Sequence, residues 1–212
     1  KIGVGKSTLL KKILEEIDLS IGGYITEKRI EEHIKTFTIR SLYNYIEKYP
    51  IAKVDRRTFS KEIFIDNFKY GITSTLDKSL KNRDLIVIDE LGFMEQDIDP
   101  FTSKVFELLD SNKIVLGVLK DYDCHFLNSI RARDDVLVIE ITEKNRNYIY
   151  QEIIDMLKDF GVPFKKTTSF SWSKDRIDWY NDALEHPKNA YPYAFLKEIK
   201  KYTGSLAGKK IL

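Results

Sequence analysis

The chain has 212 residues, with 35 lysines and arginines against 33 aspartates and glutamates, which gives a formal net charge of +2. This length allows one or two domains with a buried core, and the near balance of charge gives no clear sign of nucleic-acid or anionic-membrane binding. The apolar runs are strand-sized, so no membrane span is predicted, and the single Cys124 excludes an internal disulfide and favours a reducing cytoplasm.

The chain opens on half of a phosphate-binding loop. Its first residues match the second half of the Walker A pattern GxxxxGK[ST], so the first glycine of the pattern, and the strand that should feed the loop, would precede Lys1. We therefore expect a fragment that begins inside the loop. The residues predicted to bind the phosphates are Gly3, Val4, Gly5, Lys6, Ser7 and Thr8.

Two side chains of this loop have separate predicted tasks. The Lys6 ammonium reaches the β- and γ-phosphates, and the Ser7 hydroxyl is a ligand for Mg²⁺. The apolar spacing of residues 8–17 predicts an amphipathic helix directly after the loop, and the positive end of its dipole favours an anion.

The next segment predicts a hairpin followed by a stretch with little pattern. Residues 22–30 form a strand that is entered through a glycine turn, and residues 35–42 form its partner. Residues 43–70 are rich in Tyr, Lys and Arg and show only one plausible strand, at 61–65. Residues 74–80 then predict a helix.

The second chemical landmark is the run Asp84–Glu90, where an apolar strand ends in two carboxylates. A continuous apolar strand is typical of a parallel sheet that is buried on both faces. Such sheets bind ligands at the carboxyl ends of their strands. Asp89 is the predicted Mg²⁺ residue, and Glu90 is predicted to orient or polarise the attacking water.

Helices and strands alternate beyond this strand, which predicts an α/β fold with helices on both faces of a mainly parallel sheet. Together with the phosphate loop, this order resembles the three-layer sandwich of P-loop NTPases, and we expect its first strand to be missing from the chain. The predicted helices are residues 101–109, 126–133 and 145–157, and the predicted strands are residues 113–119 and 136–141.

Five patches in a fixed order resemble the small P-loop nucleoside triphosphatases described as thermophilic-type or cancer-related. The patches are GVGKST, GGYITEKRIE, LIVIDELGFME, VLGVLKD and IRARDDVLVIEITEKNRN, and they lie within residues 1–155. The resemblance implies Mg²⁺-dependent hydrolysis of ATP, GTP and other nucleoside triphosphates, with broad base tolerance. Lys6 and Glu90 would be catalytic, and Ser7 and Asp89 would hold the metal.

Arginines are the usual means of stabilising charge in phosphoryl transfer. Arg131 and Arg133 are the candidates here, with Arg146 behind them. The structural alternative for these arginines is a solvated surface or a salt bridge to one of the neighbouring acidic residues, which are Asp134, Asp135 and Glu143.

The chain departs from the family pattern in three places. Phe93 occupies a position where the family commonly has a basic residue, and residues 52–57 and 67–71 match the family's middle segments poorly. These departures leave base and ribose recognition open. The chain has no Asn-Lys-x-Asp signature, so a guanine-specific GTPase is not expected.

The predicted domains are a nucleotide-binding domain at residues 1–160, a linker at 161–172 and a helical extension at 173–212. The closing segment GKKIL resembles the lead-in to a class I S-adenosylmethionine-dependent methyltransferase. A second interpretation of the extension is that it is the start of a fused second domain that is cut short.

Two other functions remain open at this point. A P-loop nucleotide or small-molecule kinase would share the loop and the sheet, with Glu90 serving the acceptor and residues 24–57 binding it. A regulatory module that binds nucleotide without rapid turnover, fused to another domain, is the third reading.

Overall fold

The computed structural model describes residues 5–145, residues 148–165 and the backbone of residues 210–211. The described residues divide into two compact units. One unit contains residues 5–18 together with 140–145 and 148–165, and the other contains residues 19–139 together with 210–211. Most of the predicted linker and extension lies outside the described residues.

The described chain forms five α-helices, a π-helical segment and eight strands. The helices are α1 Lys6–Glu16, α2 Thr73–Asn82, α3 Asp99–Asp110, α4 His125–Arg131 and α5 Ile149–Asp159, and the π-helical segment is Asn67–Ile72. The strands are β1 Ile21–Glu31, β2 Ile34–Ser41, β3 Lys48–Asp55, β4 Lys61–Ile63, β5 Leu85–Leu91, β6 Ile114–Leu119, β7 Val136–Leu137 and β8 Lys210–Ile211.

All eight strands form a single mixed sheet in the order β4-β3-β2-β1-β5-β6-β8-β7. The pairings from β4 to β1 are antiparallel, and those from β1 through β5, β6 and β8 to β7 are parallel. Strand β1 belongs to both parts, because its first half pairs with β5 and its second half with β2. The antiparallel part, β1–β4, is called the ribbon below.

Strand β5 lies in the interior of the larger unit. Leu85, Ile86, Val87 and Ile88 have no exposed surface, as expected for an apolar strand with parallel neighbours on both sides. Beyond them the chain reaches the carboxyl end of the strand. The register places Ile25 of β1 opposite Asp89, so this end lies where β1 leaves the parallel sheet to enter the ribbon.

The smaller unit contains α1 and α5, which contact each other. Leu9, Leu10 and Ile13 are buried on one side of α1, which confirms the amphipathic helix predicted there. The segment after α5 holds the carboxyl end of α1. Asp18 N–H donates to the Pro163 carbonyl at 2.9 Å, and Lys165 N–H donates to the Glu16 carbonyl at 2.8 Å.

The structure corrects the predicted elements at three points. Strand β3 was not predicted. It lies in the segment whose sequence shows little pattern, and only Ile51 and Ala52 of this strand are buried. The strand predicted at 136–141 is shorter than expected. It is β7, whose two residues are those that pair with β8. The helix predicted at 126–133 ends at Arg131.

No helix within the described ranges is long and apolar enough to cross a bilayer.

Candidate functional site

The phosphate loop enters α1 through a glycine in the left-handed conformation. Gly5 has φ 82° and ψ 23°, a conformation that costs little only for glycine. Its carbonyl accepts the N–H groups of Thr8 and Leu9 at 2.9 and 3.0 Å, which begins the helix. Gly3 and Val4 lie outside the described residues.

Lys6 and Ser7 follow as the first two residues of α1. Lys6 is only 9% exposed, which is unusual for a lysine. The N-terminus of a helix offers unsatisfied N–H groups to an anion. The start of α1 in the smaller unit therefore suits a phosphate.

The predicted carboxylates lie at the end of β5 in the larger unit. Asp89 is 1% exposed, and its backbone carbonyl accepts the Thr26 hydroxyl from β1 at 2.5 Å. The Glu90 side chain is 13% exposed, and its Oε1 lies 2.7 Å from Lys120 Nζ. The structure thus places both predicted carboxylates at the expected end of the central strand.

The sequence analysis assigns no role to Lys120, the cation paired with Glu90. It follows β6, and its N–H donates to the Leu91 carbonyl at 2.8 Å, which brings it beside the residues after β5. Its Nζ lies 5.4 Å from the centre of the Phe93 ring. Only the pairing of β5 with β6 brings these residues together, and no local motif predicts it.

Glu95 orders the loop that follows Glu90. Its side chain is 3% exposed, and Oε1 accepts the Gly92 N–H. Burial raises the pKa of the Glu95 carboxyl to about 7, against the opposing effects of the Gly92 hydrogen bond and the Lys120 charge. Glu95 is a buried acid that can gain or lose its proton near neutral pH.

Tyr24 lies close to the same carboxylates. Its ring is fully buried, and its hydroxyl has no hydrogen-bond partner among the described residues. Burial, and then the charges of Glu95, Asp89 and Glu90, raise the pKa of the Tyr24 hydroxyl well above its ordinary value. The phenol is therefore neutral at physiological pH.

A narrow pocket of the larger unit opens beside Glu90. Its wall on the ribbon side is largely apolar, whereas the ends of β5 and β6 contribute charged groups. The lining residues are Thr26, Phe37, Ile39, Ile51, Phe68, Glu90, Gly92, Met94, Glu95 and Lys120.

The guanidinium of Arg131 is bound to carbonyls of the segment after β6. It donates to the Lys120 carbonyl at 2.6 Å and to the Tyr122 carbonyl at 3.1 Å, and it also contacts Asn128 Oδ1 at 2.8 Å. These contacts tie α4 to the segment that carries Lys120. The predicted contact of Arg131 with a transition state stays a prediction.

Arg133 lies in an acidic environment. It donates to both carboxylate oxygens of Asp135 at 2.8 Å and pairs with Asp110 at 2.8 Å. The bond to Asp135 is the main cause that raises the pKa of Arg133 above its ordinary value. This is the salt-bridge alternative of the sequence analysis, and a role in catalysis stays a prediction. Arg146 lies outside the described residues.

The donor chemistry of two residues suits Mg²⁺. Asp89 offers a carboxylate and Ser7 a hydroxyl, and Mg²⁺ prefers such oxygen ligands with water and phosphate completing its shell. Within the described ranges, no group of three or more His, Cys, Asp or Glu side chains is placed to hold a metal by itself. The hydroxyl and the carboxylate are thus each of a chemical type that fits Mg²⁺.

Comparisons with known proteins agree with this arrangement. The profile of the family described as NTPase matches residues 1–154. The nucleoside-triphosphatase THEP1 of Thermotoga maritima is 34% identical over 161 residues, which cover 74% of this chain and 91% of that protein. The cancer-related nucleoside-triphosphatase homolog of Bos taurus is 29% identical, with 72% and 90% covered.

A solved structure is also similar. The crystal structure of THEP1 from the hyperthermophile Aquifex aeolicus has a TM-score of 0.60 and 27% identity, covering 74% of this chain and 94% of that one. This confirms the predicted α/β fold class. By the family match and by both comparisons, the chain belongs to the P-loop nucleoside-triphosphatase family.

Proposed function

We propose that this protein hydrolyses nucleoside triphosphates to diphosphates and phosphate, with Mg²⁺ and with broad base tolerance. The observation that carries the proposal is the family match over residues 1–154, because it spans both the phosphate loop and the acidic end of β5. The names of the relatives, nucleoside-triphosphatase in bacteria and in Bos taurus, support the same activity.

We assign a task in this reaction to residues of each unit. Lys6 and the first N–H groups of α1 bind the phosphates and offset their negative charge. Glu90 accepts a proton from the attacking water or orients it. The ion pair with Lys120, at 2.7 Å, limits the motion of the Glu90 carboxylate.

Ser7 and Asp89 would hold Mg²⁺, which supplies charge neutralisation at the β- and γ-phosphate oxygens when bound. Arg131 and Arg133 are the candidates for charge stabilisation, and Arg131 also supports the segment that carries Lys120. We propose broad base tolerance from the family resemblance, and the sequence has no Asn-Lys-x-Asp signature of guanine-specific GTPases. With a single cysteine, we also propose a cytoplasmic location.

The test is phosphate release from ATP, GTP, CTP and UTP by the full-length protein. We expect Lys6→Ala and Glu90→Gln each to lower turnover by about 100-fold or more. Glu90→Gln should keep nucleotide binding, because the carboxylate that it removes acts on water rather than on the phosphates. Chelation by EDTA should stop release, and added Mg²⁺ should restore it.

Two matched variants serve as controls for this test. Lys11→Ala changes an exposed lysine of α1, and Glu62→Gln changes an exposed glutamate of β4. Both should retain turnover within about twofold, since surface substitutions are usually nearly neutral. Full turnover by Glu90→Gln would remove Glu90 from the mechanism, and release that survives EDTA would contradict the role of Mg²⁺.

A kinase is the second candidate, and the pocket beside Glu90 is the observation that favours it. The ribbon forms much of the pocket wall, so an acceptor bound there would lie next to a carboxylate. A kinase would release little phosphate from nucleoside triphosphate alone and would turn over only after an acceptor is added. Phosphate release without an acceptor therefore decides for hydrolysis.

A further inference from the structure

The two faces of the ribbon differ in how their charges are paired. On one face Arg29 lies 2.8 Å from Glu31, and Glu27 pairs with both Arg40 at 2.5 Å and Lys48 at 3.7 Å. Each cation named here has a carboxylate partner on its own face. Lys53 lies on this face too, with its ammonium over the Phe64 ring and with Glu62 opposite it on β4. The carboxylates of Glu27, Glu31 and Glu62 therefore offset most of the positive charge of this face.

The opposite face carries Lys28, Lys35 and Lys61. Lys28 is opposite Phe37 on β2, two residues from Lys35, and both Lys35 and Lys61 are opposite Val54. Residues directly opposite each other on neighbouring strands, and alternate residues of one strand, share a face. We call Lys28, Lys35 and Lys61 the lysine face.

These three lysines form no ion pair with any residue in the described part of the chain. Two of the ammonium groups lie against aromatic rings instead. Lys35 Nζ is 4.9 Å from the centre of the Phe37 ring, and Lys61 Nζ is 5.9 Å from the centre of the Phe93 ring. A ring attracts a cation but leaves its charge uncompensated.

The lysine face extends to the pocket beside Glu90. Phe37 lines that pocket together with Lys120 and Glu90, and the Phe93 ring lies near both Lys61 and Lys120. Lys120 therefore adds a fourth ammonium group at this end. Unlike the three lysines of the lysine face, Lys120 has an ion-pair partner, Glu90, at 2.7 Å.

The crowding of positive charge affects Lys35 directly. Burial, and then the charges of Lys28, Lys120 and Arg56, lower the pKa of the Lys35 ammonium, while Glu90 opposes this change. Like charges within about 8–10 Å repel even at physiological salt. An anion bound among these groups would relieve the repulsion and gain several attractive contacts at once.

We propose that the lysine face binds the phosphate groups of a small phosphorylated molecule. Phosphate suits this site because it carries more than one charge and several acceptor oxygens, which separate lysine ammonium groups can share. Phe37 and Phe93 offer apolar surface beside the ammonium groups for the organic part of the ligand. The proposal goes beyond hydrolysis and does not depend on it.

The same chemistry has two possible sources. The phosphates belong either to the nucleotide substrate or to a second phosphorylated molecule that binds beside it. The two are separated by kinetics after the site itself has been tested.

The site is tested by titrating pyrophosphate into the full protein by calorimetry in metal-free buffer. All variants carry Lys6→Ala, which suppresses binding at the phosphate loop. Neutralising the lysine face by Lys28→Gln, Lys35→Gln and Lys61→Gln together should weaken binding about tenfold, equivalent to about 1.4 kcal/mol. The single variant Lys35→Gln should weaken it about threefold and covers the case in which the triple variant folds poorly.

The matched control removes the same number of charges from the other face, by Arg29→Gln, Lys48→Gln and Lys53→Gln. Lys53 is on that face because it is opposite Thr36, which is opposite Arg29. We expect the control to bind pyrophosphate within twofold of its parent. Equal losses in the two triple variants would show a general charge effect and overturn the proposal, as would the absence of pyrophosphate binding to the Lys6→Ala parent.

Kinetics with intact Lys6 then identify the source. A tenfold rise in the KM for ATP in the lysine-face variant assigns the site to the substrate's own phosphates. An unchanged KM, with pyrophosphate binding lost, assigns it to a second molecule. Tighter lysine-dependent binding of a single-stranded oligonucleotide than of pyrophosphate would overturn the small-molecule proposal. A protein that fails to release phosphate from ATP contradicts the proposed hydrolysis but leaves the calorimetric test intact.

Discussion

Glu90, Lys120 and Glu95 form a linked group at the carboxyl end of β5. Lys120 pairs with Glu90 at 2.7 Å, and Glu95 binds the Gly92 N–H in the loop between them. The charge of Lys120 favours ionised Glu95, whereas the charge of Glu90 favours its protonated form. The protonation of Glu95 is therefore coupled to the geometry of the loop that follows the candidate base.

Glu95→Gln tests this burial through the pH dependence of stability. The Glu95 carboxyl has a pKa of 4.5 when unperturbed and about 7 in the folded protein. The folded state therefore binds more protons between these values, and the free energy of unfolding falls as pH rises through this window. The difference corresponds to a loss on the order of 3 kcal/mol at pH 8.

Glutamine keeps an oxygen that can accept the Gly92 N–H and carries no charge. The stability of Glu95→Gln relative to the unmodified protein should therefore rise between pH 4.5 and pH 8. Urea unfolding at a series of pH values measures this difference, with the exposed Glu62→Gln as the control. A difference between Glu95→Gln and the unmodified protein that stays constant with pH would show that Glu95 titrates normally.

At the scale of elements, the close approach of β1 to β5 and α2 depends on two glycines. A Cβ on Gly22 would lie 2.6 Å from the Ser79 Cβ of α2. Gly23 has φ 85°, and a Cβ there would lie 1.9 Å from the Val87 carbonyl oxygen of β5. The Ser79 hydroxyl accepts the Gly23 N–H at 2.8 Å. The start of the ribbon is thus positioned against the strand that carries Asp89.

Gly23→Ala should destabilise the larger unit by about 3 kcal/mol or more, because the new methyl group meets backbone and the residue has a left-handed conformation. Thermal or urea unfolding measures the loss. Gly161→Ala is the matched control, since Gly161 also has a positive φ, 76°, but is exposed after α5. It should cost about 1 kcal/mol. Equal losses of stability in the two variants would show that Gly23 is needed only for its left-handed conformation, and not for its contact with β5.

At the scale of the whole molecule, the two chemical landmarks belong to different compact units of one chain. The phosphate loop and α1 lie in the smaller unit, and Asp89 and Glu90 lie in the larger. A ligand that binds only the folded protein raises its free energy of unfolding in proportion to the logarithm of its concentration. Nucleotide binding can therefore be measured without turnover.

A non-hydrolysable ATP analogue with Mg²⁺, at about 100 times its Kd, should stabilise the full protein by about 2.7 kcal/mol and raise its Tm by roughly 5 °C or more. Glu90→Gln should show the same rise, and Lys6→Ala should show almost none at the same concentration. Scanning calorimetry measures all three. An undiminished rise in Lys6→Ala would contradict the assigned contact of Lys6 with the phosphates.

Sequence patterns predicted the features whose residues are neighbours along the chain. The helix after Gly5, the hairpin of β1 and β2, and the buried strand ending at Asp89 all follow local rules of capping, alternation and burial. These rules act over a few residues. Strand β3 escaped them, because a ribbon strand with only Ile51 and Ala52 buried has no strong alternation.

By itself, the sequence determined the fold class, and it predicted Lys6, Asp89 and Glu90 as site residues. Only the tertiary structure decided that Lys120 pairs with Glu90, that Glu95 is buried, and that the three lysines of the lysine face form no ion pair within the described part of the chain. The reason is that these properties depend on strand order and register. The pairing of β5 with β6 and of β1 with β2 joins residues that are far apart in the chain, and a side chain's charge state depends on what surrounds it.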